Sequence, residues 1–185
     1  MTVQNILGST VLLLLVSLTA CSEQTGRSVD GEISNDLSKQ AKMAEGGDSS
    51  AGKITLNVFK SPSCSCCGRW VEHAEQGGFS LTTHHPLDLN KLKAEQGIAP
   101  QYQSCHTAVS AEGYVFEGHV PARYVRAFLA APPENALGLS VPAMPVGSPG
   151  MEMGERFMPY QVLLLKRDGS AERYADVTEL GRQYD

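Results

Sequence analysis

The sequence predicts a mixed α/β fold carried by one domain. Three observations lead there. Short alternating apolar runs and amphipathic stretches of helical period succeed one another from Lys53 onward. Glycines stop the helical stretches, at Gly77-Gly78 and again at Gly97. After a long segment rich in Pro, Gly and Met, the chain closes on two apolar runs that turn at Asp168-Gly169.

The elements follow in order. Ile54 to Phe59 alternates as a first strand, and Ser65 to Gln76 carries a first helix. Phe79 to His84 is a second strand and Leu87 to Gln96 a second helix. Thr107 to Ser110 and Tyr114 to Glu117 are strands joined by a tight Ala-Glu-Gly turn. Pro121 to Ala130 is a third helix, with Pro in the first turn, where a missing N–H costs nothing. Pro132 to Pro159 is expected to be one long Pro/Gly/Met-rich loop. Gln161 to Lys166 and Ala171 to Tyr174 form an added C-terminal hairpin.

Ahead of this domain stand two segments of different character. Residues 1–20 hold an apolar stretch from Leu7 to Ala20, too short to span a bilayer and suited to a signal peptide. It ends Leu18-Thr19-Ala20-Cys21, which resembles the lipobox of bacterial lipoproteins and makes Cys21 a lipidation candidate. The start of the chain has no Lys or Arg, which departs from that pattern; the alternative is an ordinary cleaved signal in which Cys21 is incidental. Ser22 would favour the outer membrane by analogy with lipoprotein sorting. Residues 21–52 are rich in Ser, Gly, Glu, Gln and Asp and read as a flexible tether, leaving 53–185 as the folded domain. The net charge of −5 is evenly spread, so nucleic acid is not an expected partner.

The element order is the thioredoxin/glutaredoxin arrangement, which sharpens the expectation to a thioredoxin-like fold. There a C-x-x-C box opens the first helix, and a loop before the third strand lies against it. Cys64 and Cys67 have that spacing, and Cys66 between them is one thiol more than simple disulfide chemistry uses. Ser104-Cys105-His106-Thr107 occupies the position before the third strand, so Cys105 and His106 should reach the box from far along the chain. Gly118-His119-Val120-Pro121 should face the same place.

Clustered soft sulfur suits Cu(I). The N-terminus of the first helix offers unpaired N–H groups and partial positive charge, which favour thiolate. Cys64, Cys66, Cys67 and Cys105 are the candidate metal ligands. One Cu(I) would leave most of their thiolate charge uncompensated, whereas several, up to four, would neutralise it. Zinc usually takes two separated C-x-x-C pairs, which vicinal Cys66-Cys67 fits poorly. His106 and His119 could complete the coordination or hold Cu(II), which prefers imidazole. Their alternatives are a strand histidine turned to the other face and a loop histidine capping the third helix. Met144, Met151 and Met153 offer thioether to Cu(I), or simply pack the loop onto the domain. His84-His85 read as surface and His73 as structural. Trp70 reads as core or a cover over the site, and Lys60 as an offset to thiolate charge or a solvated lysine.

Four segments together resemble one family. They are Phe59-Lys60-Ser61-Pro62-Ser63-Cys64-Ser65-Cys66-Cys67, Ser104-Cys105-His106-Thr107, Glu117-Gly118-His119-Val120-Pro121, and the run from Val141-Pro142-Ala143-Met144 to Gly150-Met151-Glu152. In this order they look like the periplasmic copper-resistance CopG family, long carried as a domain of unknown function. The resemblance covers roughly Lys53 to Tyr174. It implies a thioredoxin-like fold, copper binding by the four domain cysteines, and a role in copper tolerance that extends to redox conversion of copper. The expected setting is periplasmic and lipid-anchored, with a copper efflux system or periplasmic copper chaperone as partner. Two other classes stay open: a thiol-disulfide oxidoreductase with Cys64 as nucleophile and Cys67 as resolving thiol, and a non-catalytic copper chaperone or buffer.

Overall fold

Residues 53–184 are described in the computed structural model; the signal segment, Cys21 and the tether lie outside the described residues. β1 (Thr55–Lys60) forms where Leu56, Val58 and Lys60 alternate inward. Ser61 to Ser63 turn the chain, and α1 (Ser65–Gln76) starts at Cys64, whose sulfur accepts the Cys67 N–H at 3.4 Å as a cap. β2 (Ser80–His84) follows, then α2 (Leu89–Glu95). The second helix starts later than its periodicity suggests because the Asp88 carboxylate caps Lys91 N–H at 2.9 Å, which leaves Leu87 exposed ahead of it. β3 (His106–Ser110) and β4 (Val115–Gly118) form an antiparallel pair, and α3 (Ala122–Ala130) begins one residue after Pro121. Then come β5 (Ala136–Val141), β6 (Tyr160–Lys166) and β7 (Ala171–Val177).

The described residues thus hold three α-helices and one seven-stranded sheet in the order β2-β1-β3-β4-β5-β6-β7. β1 runs parallel to β2 and β4 parallel to β5, while the other neighbours are antiparallel. Trp70 and Ala74 of α1 and Val125 and Phe128 of α3 pack with Leu56, Val58, Ala108 and Phe116 in one core cluster. Each large side chain fully buried there contributes on the order of 1.5–3 kcal/mol. Ile98, Val115, Leu137 and Leu165 form a smaller cluster, to which β4 gives Val115 and β5 gives Leu137.

β5 corrects the sequence reading, which ran Pro132 to Pro159 as one loop. Ala-Leu-Gly-Leu-Ser-Val shows no alternation because every residue of the strand is buried: Leu139 and Val141 lie in the larger cluster and Leu137 in the smaller. A strand covered on both faces loses the period-two signal. Gly138 is required by the pairing, since a Cβ there would stand 1.8 Å from the Val115 carbonyl oxygen.

The topology gathers four strand ends at one end of the sheet. The C-terminal end of β1 pairs with the first residue of antiparallel β3, with Lys60 opposite His106. The C-terminal ends of parallel β4 and β5 lie beside each other, with Gly118 opposite Val141. Gly118 sits at φ 73°, and a side chain there would collide with Ser104.

Gly138→Ala tests the register of β5. It should cost about 3 kcal/mol in chemical denaturation, the upper end for overpacking. An unchanged midpoint would mean that β5 does not lie against β4.

Candidate metal centre

The register of β1 on β3 sets Cys105 across from the turn that carries the cysteine box. The ligand atoms of Cys64, Cys66, Cys67 and Cys105 all lie within 4.8 Å of one another. Cys64 Sγ is 3.4 Å from Cys66 Sγ, and Cys64 and Cys67 are joined as a disulfide, while Cys66 and Cys105 are free. Reduction of that one bond makes the four sulfurs available together.

A second group shares Cys105. His106 Nδ1 lies 3.2 Å and His119 Nε2 3.0 Å from its sulfur. His106 shares the α1-side face of β3 with Ala108, and its ring stands 4.5 Å from that of Trp70. It is fully buried, and its Nε2 has no hydrogen-bond partner among the described residues. The nitrogen beside the sulfur is Nδ1, so the orphaned Nε2 is a second, buried nitrogen of the same ring left free for a further partner. His119 Nδ1 donates to the Pro149 carbonyl at 2.7 Å, which leaves Nε2 as the lone-pair atom facing Cys105. The third helix is served instead by His73, whose Nε2 accepts the Ala122 N–H at 3.0 Å.

Burial sets the protonation states. It lowers the pKa of His106 well below the usual imidazole value, helped by neighbouring His119, and lowers that of His119, so both rings are neutral at pH 7. It pushes the Cys105 thiol up to about 12, with charge on Cys66 adding to the effect. Off the helix N-terminus, Cys105 therefore stays protonated until a metal displaces the proton.

The remaining expected residues divide. Trp70 is both core and wall of the site: it is fully buried and its Nε1–H donates to the Val120 carbonyl at 2.8 Å. Lys60 is buried, not solvated, with Nζ donating to the Ser61 carbonyl at 2.9 Å. His84 and His85 are engaged away from the sulfurs, by Asn57 Oδ1 and the Lys60 carbonyl, both at 2.9 Å. The Met-rich loop meets the site through its backbone. The Ala143 carbonyl accepts from Ser104 Oγ and the Gly150 carbonyl from Arg69 Nε, while Met144 and Met153 are exposed and Met151 is half-buried.

Sequence reasoning gave no role to Lys93 or Glu117. Both are buried, and Lys93 Nζ donates to Glu117 Oε1 and to Thr107 Oγ1. The same carboxylate accepts the Ser104 N–H and the Thr107 hydroxyl, each at 2.6 Å, so it clamps the chain on both sides of Cys105-His106. The available signals were that Glu117 alternates in phase with buried Val115, and that Lys93 falls four residues after Leu89 on the short helix.

Comparison with known proteins bears on this geometry. Residues 102–151 match a family model described as "Protein of unknown function, DUF411". The solved structure titled "Copper resistance protein copG- Form 1" is 39% identical, with a TM-score of 0.64, over 68% of this chain and 98% of that one. The chain belongs to the CopG copper-resistance family. "Copper resistance protein copG- Form 2" agrees at 38% identity, with the same coverage and TM-score. No curated protein gave a match. The family match spans Cys105, His106, His119 and the loop to Met151, the segments that the sheet brings to the cysteine box. No helix among the described residues is long and apolar enough to cross a membrane.

The raised Cys105 pKa fixes a pH profile. In the metal-free chain its alkylation by iodoacetamide should rise about tenfold per pH unit well past ~8.5, the ordinary thiol value. A plateau near ~8.5 would contradict burial of the thiol.

Proposed function

We propose that the chain is a cell-envelope copper-binding protein of copper resistance, holding Cu(I) through Cys64, Cys66, Cys67 and Cys105. The observation that carries this is the meeting of four sulfurs with two neutral imidazoles, one bearing an unpartnered buried Nε2. Soft thiolate selects Cu(I), and His106 and His119 give an oxidised copper the nitrogen it prefers. The buried Lys93 is already matched by Glu117, and Lys60 alone offsets at most one of four thiolates, so most of the thiolate charge is left for the bound ions to neutralise, which favours several Cu(I) over one. Interconversion of Cu(I) and Cu(II) is the redox role consistent with this mixed donor set. Met144 and Met151 are further thioether ligands on this reading, Met144 on the exposed side where copper is received from or passed to an efflux system or chaperone.

The strand order β2-β1-β3-β4, with only β1 and β2 parallel, supports a thioredoxin-like fold for the first part of the domain. The Leu18-Thr19-Ala20-Cys21 box supports lipidation of Cys21 and a periplasmic, outer-membrane anchor.

A second reading, thiol-disulfide oxidoreductase, is favoured by the Cys64–Cys67 disulfide, with Cys66 close enough to exchange with it. It gives no task to Cys105, His106 and His119.

Anaerobic loading of the reduced chain with Cu(I), with copper counted per protein, separates the two. Cys105→Ser should lower the count although Cys105 is remote in sequence from the box. An unchanged count would refute the shared site, and a chain that holds no copper would leave the thiol chemistry.

A further inference from the structure

Gln183 lies in the 3-10 turn Leu180–Gln183 and is fully buried. A buried amide needs a partner at each end. Its Oε1 accepts the Tyr160 hydroxyl proton at 2.7 Å, and its Nε2 donates to the Gly147 carbonyl at 2.6 Å. Gly147 opens the buried stretch that runs to Gly150 and adopts φ 87°. The stretch is tied within itself, Gly147 N–H to the Met151 carbonyl at 2.9 Å and Met151 N–H to the Ser148 carbonyl at 2.7 Å, so it holds its shape as a unit. Two residues beyond Gly147, the Pro149 carbonyl accepts from His119 Nδ1. Gly150 then passes so close to α1 that a Cβ would stand 2.6 Å from the Cys66 carbonyl oxygen.

One amide therefore holds the turn that holds the imidazole. A histidine whose Nδ1–H donates to a carbonyl presents an unprotonated Nε2, and such an outer partner fixes both tautomer and ring direction.

We propose that Gln183 is a positioning residue: through Gly147 and Pro149 it fixes the Nδ1–H tautomer of His119 and aims Nε2 at Cys105. Its consequence for metal binding rests on the proposed reading of His119 as a ligand; the tautomer does not.

The test uses the reduced, metal-free 185-residue chain, with histidine tautomers read by long-range proton–nitrogen NMR. Gln183→Glu keeps the size of the side chain and the acceptor for Tyr160 but loses the donor to Gly147. Wild type should show His119 as the Nδ1–H tautomer alone, and Gln183→Glu should show a mixture or the Nε2–H form. Tyr160→Phe, which leaves the amide-to-carbonyl bond in place, should keep the wild-type tautomer. Gln183→Leu should act as Gln183→Glu does, and if it fails to fold Gln183→Glu decides alone. An unchanged His119 in folded Gln183→Glu overturns the assignment, as does an equal tautomer change in Tyr160→Phe, which would mean general loosening. A second readout is retention of Cu(I) against a competing chelator, expected to weaken about tenfold in Gln183→Glu. A changed tautomer with unchanged retention upholds Gln183 as a positioning residue and overturns His119 as a ligand.

Discussion

The Glu117 carboxylate is the group on which the geometry of the site depends. A carboxylate with no solvent exposure needs a countercharge and enough hydrogen bonds to replace water. Lys93 supplies the first, and the Ser104 N–H and Thr107 hydroxyl supply the second. Because Ser104 and Thr107 flank Cys105-His106, satisfying one buried charge also fixes where the sulfur and the ring stand. Shifting that segment would take two hydrogen bonds from the buried carboxylate and one from the buried ammonium, a larger penalty than any single surface contact could repay. Gly118, next in chain to Glu117, lets Ser104 approach closely from the other side.

The donors of the β3–β4 side are themselves held neutral. Burial keeps Cys105 a thiol and both imidazoles uncharged, and the adjacent ion pair cancels within itself. On the proposed reading, a soft cation arriving here meets lone pairs at His106 and His119 and displaces protons from sulfur. The cysteine box differs in setting: it is more exposed, sits at the N-terminus of α1, and carries the disulfide. The two halves thus differ in kind: the box presents sulfur at a partly exposed helix start, and the β3–β4 side presents buried imidazoles held in place by hydrogen bonds.

Local chemistry was legible in the sequence and long-range pairing was not. The C-x-C-C box, the helix it opens and its Gly stop announce themselves within a dozen or so neighbouring residues, and α1 has the expected bounds. Cys105 and His106 could be brought to the box because the order of elements constrains which strand ends meet. β5 was hidden because a strand buried on both faces has no alternation, and its Pro- and Met-rich flanks suggested loop. The burial of Glu117 and Lys93 left a trace in the spacing, but the pairing of Lys93 with Glu117, like that of Gln183 with Gly147, did not, because each pair joins segments distant in sequence. The exposed Met144 and Met153 likewise follow from how the loop lies, which composition does not encode.

The central claim is that sulfur from two separated segments and imidazole from β3 and the β4 end hold the same copper. X-ray absorption at the copper edge, on the reduced chain loaded anaerobically with Cu(I), addresses it directly. The account predicts a shell dominated by sulfur with a nitrogen contribution that disappears when His106 and His119 are both replaced by alanine. A shell of nitrogen and oxygen alone, or one unchanged by removing both histidines, would contradict it.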